Sequence, residues 1–208
     1  MDVINFRYPN LKQSGLSQMP RLVVFTSEDA HYSVKKLAAF LGIGYDNVYL
    51  VKIDSRGKML VSDLEVQIAR AIEEGAAPLM VSATAGTTVI GAFDPLREIA
   101  EVCKKYGLWL HVDAAWGGGA LVSRTYRDLL DGVQFADSVT WNPHKMLAAP
   151  QQCSTLLLRH EGLLFILTFF LYLFLHFYLF YLMKIIFFER NEKISKNFST
   201  NPHSKSLS

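Results

Sequence analysis

Between residues 22 and 159, short apolar runs alternate with longer stretches in which apolar side chains recur every three or four positions. The first run, 22–25, reads as a buried strand ending at Thr26-Ser27. Residues 34–41 have helical spacing, with Leu37, Ala38 and Leu41 on one face. A strand is expected over 47–53, closed by a turn at Ser55-Arg56-Gly57. Ser62-Asp63-Leu64-Glu65 has the form of a capping box, so a helix is expected from about 63 to 74, stopped by Gly75. Residues 78–84 are apolar on both faces, the mark of a strand covered on both sides. Pro95 and Gly107 bracket the next helix, with proline at its first position and glycine just past its end. Further strands are expected over 108–113, 137–141 and 153–159. Strands alternating with helices predict an α/β fold: a largely parallel sheet with helices on both faces.

Ligands of such sheets bind beyond the carboxyl ends of the strands. Small and polar residues collect at those ends, over 84–88, 113–119 and 142–145. Chemistry is therefore expected there.

Composition divides the chain. Residues 163–188 are all apolar or aromatic except Thr168, His176 and Lys184. Without them the hydrophobic content falls from 50% to roughly 45%, an ordinary globular level. Hydropathy alone makes 163–183 a membrane span, the one route to a membrane. The basic residues that follow, Lys184, Arg190, Lys193 and Lys196, oppose that by the positive-inside rule, which would place residues 1–162 outside. The competing reading is translated non-coding sequence, since AT-rich sequence often encodes such residues. The divisions are thus 1–162, the apolar segment 163–188 (an apolar helical tail in the fold), and a polar, disordered tail over 189–208.

Lys plus Arg number 21 against 19 Asp plus Glu, a net charge of +2, which argues against nucleic-acid binding. Two cysteines, Cys103 and Cys153, make no disulfide framework, and the first ten residues lack a signal-peptide core. A cytoplasmic protein is expected, with membrane association through the tail as the alternative.

Asp113 ends an apolar strand, where a carboxylate must be paired or lose its charge. It reads equally as a cap for the next loop. Gly117-Gly118-Gly119 would let backbone approach a ligand closely. Lys145, just past a strand end, could serve as a nucleophile, although most lysines are surface residues. His31 reads by itself as a helix cap or surface residue. His111, Asp113 and His144 could be considered as metal ligands. His111 should lie deeper in the core than Asp113, so no metal is expected.

Four segments occur in order: Glu28-Asp29-Ala30-His31-Tyr32-Ser33, Ala83-Thr84-Ala85-Gly86-Thr87-Thr88, His111-Val112-Asp113-Ala114-Ala115-Trp116-Gly117-Gly118 and Asn142-Pro143-His144-Lys145. Together they resemble the group II pyridoxal-phosphate-dependent decarboxylases, nearest the glutamate and cysteine-sulfinate branch. The resemblance extends from about Phe6 to Leu164.

It implies part of the large domain of the aspartate-aminotransferase-like fold, with pyridoxal 5'-phosphate as cofactor. The implied catalytic residues are Lys145, His31 and Asp113. Lys145 would form the Schiff base, and Asp113 would pair with the pyridinium nitrogen. His31 would stack on one ring face, with Ala115 on the other. Thr88 would line the site, and Asn142 and His144 would lie near the phosphate. The implied reaction is decarboxylation of an acidic L-amino acid to an amine, with glutamate, cysteine sulfinate or aspartate as substrate. Trp141 and the glycine run lean toward glutamate.

The family's active site forms across a homodimer interface. Its upstream phosphate-binding segment, C-terminal domain, catalytic loop and substrate-gripping arginine have no counterpart here, so the site is expected to be catalytically incomplete. The alternative is a non-catalytic truncated isoform or a membrane-anchored product without activity.

Overall fold

The computed structural model describes residues 19–160 together with Arg7, Tyr8, Gly15 and Ser17. The segments 163–188 and 189–208, with the span expected over 163–183, lie outside the described residues. Among those that are described, no helix is long and apolar enough to cross a membrane.

Six strands form one sheet: β1 (Leu22–Ser27), β2 (Val48–Val51), β3 (Ala77–Thr84), β4 (Trp109–Asp113), β5 (Ser138–Trp141) and β6 (Thr155–Leu158). Their order is β2-β1-β3-β4-β5-β6, parallel from β2 through β5, with β6 antiparallel to β5. The helices are α1 (Ser33–Phe40), α2 (Val61–Glu73) and α3 (Leu96–Tyr106).

Alternation along the strands sorts side chains between two faces. Val23, Phe25, Val81, Ala83, Leu110 and Val112 join the main core, against Leu64 and Ile68 of α2 and Ile99 and Val102 of α3. Leu22, Val24 and Leu79 form a smaller cluster on the other side, with Val34 of α1 packed on it. Helices thus lie on both faces, and α1 covers one end of its face. The rest of that face floors a cavity.

Local expectations fared unevenly. Gly107 closes α3 in the left-handed conformation, φ 63°, as its position predicted. Pro95 is the N-cap of α3 rather than its first residue. The expected capping box does not form. α2 begins at Val61 with Leu60 as its N-cap and no side-chain cap bond, so Ser62 already lies inside the helix. Asp63 instead accepts the Lys52 N–H at 2.9 Å, and Glu65 pairs with Lys105 at 2.6 Å. β1 runs two residues further than expected, because Thr26 and Ser27 are fully enclosed in the sheet.

Candidate active site

A cavity of about 570 Å³ opens between α1 and the carboxyl ends of β3, β4 and β5. Its floor is polar in two rows. Ser82, His111 and Ser138 are register partners across the three strands, and Thr84, Asp113 and Thr140 form the next row. All six line the cavity. Two-residue spacing places each pair on the same face of its strand.

The loops beyond these strands are knitted to one another. The Ala85 N–H donates to the Asp113 carbonyl at 2.8 Å, and the Ala114 N–H to that of Thr140 at 2.9 Å. The Gly117 N–H reaches the Ala85 carbonyl at 3.0 Å, and the Asn142 N–H reaches that of Ala115 at 3.3 Å. Each backbone group satisfied in this way removes a reason for the loop to move.

Six of the seven anticipated residues line the cavity: His31, Thr88, Asp113, Ala115, Asn142 and Lys145. Asp113 is half-buried, and its Oδ1 accepts the Ala115 N–H at 3.0 Å. The carboxylate therefore does both jobs open to it: it caps its own loop and faces the cavity. His31 is also double. Its Nδ1 accepts the Ser33 N–H at 3.3 Å and lies 2.8 Å from Ser33 Oγ, while its ring lies 4.2 Å from that of Tyr32. Lys145 sits on a tight turn after β5, with its N–H on the Asn142 carbonyl at 3.0 Å. The turn closes through Ala148, whose φ of 51° is left-handed. Thr88 is at the exposed rim.

His144 departs from its expected place. It does not line the cavity; its Nδ1 lies 2.6 Å from the Cys153 carbonyl oxygen. Nδ1 also faces the Cys153 N–H at 3.2 Å, so through one or other of these groups, according to its tautomer, the ring tethers the Lys145 turn to the approach to β6.

The glycine run also differs. A Cβ on Gly117 would meet the Ala85 carbonyl oxygen at 2.4 Å, and one on Gly118 would meet Trp141 at 2.5 Å. These glycines let protein approach protein, rather than a ligand. Gly118 and Trp141 are one packing pair, and Trp141 is not among the cavity-lining residues.

His111 lies one row further in than Asp113, as expected, and still lines the cavity. Its Nδ1 is 2.8 Å from Ser138 Oγ, which also accepts the Trp109 indole N–H at 2.9 Å. Burial holds its pKa below the usual 6.5, against the opposing pull of the Asp113 charge. Among the described residues, no three His, Cys, Asp or Glu side chains gather as a metal centre.

Ser82, Ser138 and Thr140 were absent from the sequence-based site, and Thr84 stood only at the edge of a segment where chemistry was expected. The signal for them was the shared spacing: a polar residue, an apolar one and a second polar one close β3 and β4 and open β5.

The donor set suits pyridoxal phosphate. A carboxylate, a primary amine, an imidazole and the small Ala115 side chain converge on one space. Asn142 Oδ1 is buried there without a hydrogen-bond partner, the sort of orphan a ligand satisfies.

The family model described as "Pyridoxal-dependent decarboxylase conserved domain" matches residues 5–198. The chain is 62% identical over 163 residues to the mouse acidic amino acid decarboxylase GADL1, covering 78% of this chain and 30% of that protein. It is 64% identical over 153 residues to human cysteine sulfinic acid decarboxylase, covering 74% and 31% respectively. The crystal structure of mouse CSAD superposes with a TM-score of 0.77 at 60% identity, over 78% of this chain and 34% of that one. A tryptophan decarboxylase from Catharanthus roseus, solved with L-tryptophan, shares the fold at a TM-score of 0.66 and 30% identity. The chain spans about a third of the length of the relatives it matches. On the match of the family model to most of its length and on these identities, the chain belongs to the pyridoxal-dependent decarboxylase family.

Proposed function

We propose that this chain is the cofactor-holding part of a carboxy-lyase that uses pyridoxal 5'-phosphate to remove the carboxylate of an acidic L-amino acid, releasing an amine. The observation that carries the reading is the convergence of His31, Asp113, Ala115, Asn142 and Lys145 on one cavity from three separate segments of the sequence.

Each side chain has a task in this reading. Lys145 Nζ would be the point of covalent attachment and an amine available to return a proton to the substrate. Asp113 would offer the negative charge that favours a protonated ring nitrogen. His31 and Ala115 would hold the cofactor ring, while Asn142 and Thr88 would supply polar contacts. When bound, the cofactor supplies the electron sink that accepts the pair released from the breaking bond. Orientation and electrostatics are what the protein contributes.

The substrate class is acidic: cysteine sulfinate, glutamate or aspartate. The names of two relatives, an acidic amino acid decarboxylase and a cysteine sulfinic acid decarboxylase, support that class. A homodimer belongs to the same reading, supported by the apolar Leu121, Val122, Tyr126 and Leu129 exposed in one stretch. A cytoplasmic location accompanies it, supported by the free thiols of Cys103 and Cys153.

The decisive experiment is borohydride reduction after incubation with pyridoxal phosphate, followed by peptide mass mapping. A label confined to Lys145 and absent from Lys145→Ala is the expected result. A label spread over surface lysines, or none at all, overturns the reading. Carbon dioxide release from the three candidate acids then ranks them as substrates.

A further inference from the structure

We propose that Ser33 is a positioning residue for His31: its backbone N–H and its hydroxyl together hold Nδ1 of the imidazole as an acceptor, which keeps the neutral ring's proton on Nε2 and fixes the ring at the cavity wall. The purpose of this hold rests on the function proposed above, whereas the contacts that make it stand without that function.

A backbone N–H can only donate, and that of Ser33 is directed at His31 Nδ1 at 3.3 Å. A proton on Nδ1 would set two N–H groups against each other, so this nitrogen presents its lone pair. The Ser33 hydroxyl lies 2.8 Å from the same nitrogen, and its rotatable proton serves as the second donor. A neutral imidazole whose Nδ1 accepts carries its proton on Nε2, the nitrogen not engaged by Ser33. The contact also serves the helix. Ser33 is the first residue of α1, and Tyr32 at the N-cap makes no side-chain cap bond. The first N–H groups of a helix lack partners within it, and His31 supplies one of them with an acceptor.

A second contact braces the ring. The Tyr32 ring lies 4.2 Å from that of His31, at an interplanar angle of 37°. Lys36, one turn further along α1, places its ammonium 4.4 Å over the Tyr32 ring and steadies it by cation–π attraction. His31 and Ser33 line the cavity, whereas Tyr32 and Lys36 do not. The imidazole is therefore tied at one edge by Ser33 and packed against Tyr32, and its remaining surface meets the cavity. A flat aromatic cofactor gains most from a neighbouring ring whose orientation is set before it binds, because less ordering is then left for the binding step.

The test is nitrogen nuclear magnetic resonance on the whole chain, labelled at its six histidines, with His31 assigned by the signals lost in His31→Gln. On the alkaline plateau, where histidine is neutral, wild-type His31 should show Nδ1 as an unprotonated, hydrogen-bonded nitrogen and Nε2 as a protonated one. Ser33→Ala removes the hydroxyl and keeps the N–H, so the ratio of Nε2–H to Nδ1–H forms should fall about fivefold, the equivalent of one ordinary hydrogen bond. Ser33→Thr, which keeps the hydroxyl, should restore the wild-type ratio. With saturating pyridoxal phosphate, circular dichroism in the bound cofactor's visible band should weaken in Ser33→Ala and recover in Ser33→Thr. A protonated Nδ1 in the wild type, or a ratio unmoved by Ser33→Ala, overturns the proposal. Weakened cofactor binding with an unmoved ratio also overturns it, because Ser33 would then be a direct contact. The wild-type measurement needs no substitution, so a misfolded variant leaves the test intact. Failure to label Lys145 with borohydride would sink the function while leaving the tautomer result standing, and an unmoved ratio in a chain labelled at Lys145 would do the reverse.

Discussion

The carboxylate of Asp94 accepts the Thr84 N–H at 2.7 Å and the Met59 N–H at 2.7 Å, clamping the end of β3 to the loop before α2. Thr84 is the register partner of Asp113, so this clamp sets one wall of the cavity floor. The carboxylate is 3% exposed, and burial raises its pKa to about 6 despite the two amides and Lys58, which act in the opposite direction. Between the unfolded value of 3.8 and about 6, the folded protein binds more protons than the unfolded chain. Stability therefore falls as pH rises through that window, by on the order of 3 kcal/mol. Urea unfolding at intervals from pH 4 to 7 should show this slope in the wild type and lose it in Asp94→Asn. A slope of the opposite sign would mean that the amide bonds outweigh burial. Glu74, lowered from 4.5 to about 2 chiefly by Tyr49 and then Arg21 and Arg70, acts mostly below this window, overlapping only its acid edge, and with the opposite sign.

Much of this arrangement was legible in the chain. The strand and helix sequence followed from periodicity, because β3 and β4 carry unbroken apolar alternation on the α2 and α3 side. Asp113 stood out because a carboxylate closes a mostly apolar strand, and Lys145 because it follows Asn142-Pro143-His144 just past a strand end. What the sequence hid were relations between distant residues. Asp94 reads as an ordinary acid before a helix, and only folding brings Met59 to it. Ser62 and Glu65 match a cap in spacing, yet the helix starts one residue before Ser62, so the match is empty. His144 sits between two motif residues, and only the return of the chain at Cys153 turns it away from the cavity.

Gly86 and Gly91 offer a paired test of the knitted loops. Both have positive φ, 88° and 66°. A Cβ at Gly86 would meet Gly117 N at 2.9 Å and its Cα at 3.0 Å, both backbone atoms, whereas one at Gly91 would meet nothing within 4 Å. Gly91→Ala should cost about 1–2 kcal/mol, the left-handed penalty alone. Gly86→Ala should cost at least about 1 kcal/mol more, from the forced separation of the loops after β3 and β4. Equal shifts in chemical denaturation midpoint, at equal m-values, would show that the loops part freely.

The His144 tether makes a prediction that separates support from chemistry. His144→Phe removes the hydrogen bond to the Cys153 backbone and leaves a ring of similar size. The exposed residues 146–148 and 150–152 should then be cleaved several-fold faster in limited proteolysis, in line with a lost hydrogen bond of about 1 kcal/mol. Borohydride labelling of Lys145 should slow yet persist in this variant. Complete loss of labelling with unchanged proteolysis would place His144 at the cofactor after all.

Asn142 should behave in the opposite way. Its Oδ1 is buried without a partner, so the folded protein already bears the cost of dehydrating that oxygen. Removing the amide in Asn142→Ala relieves that cost and gives up some packing, so the two effects oppose each other. Unfolding stability should change by less than about 1 kcal/mol. Affinity for pyridoxal phosphate, read by equilibrium dialysis, should weaken roughly tenfold, equivalent to about 1.4 kcal/mol. An amide that served the fold alone would give the reverse outcome, with stability lost and affinity kept.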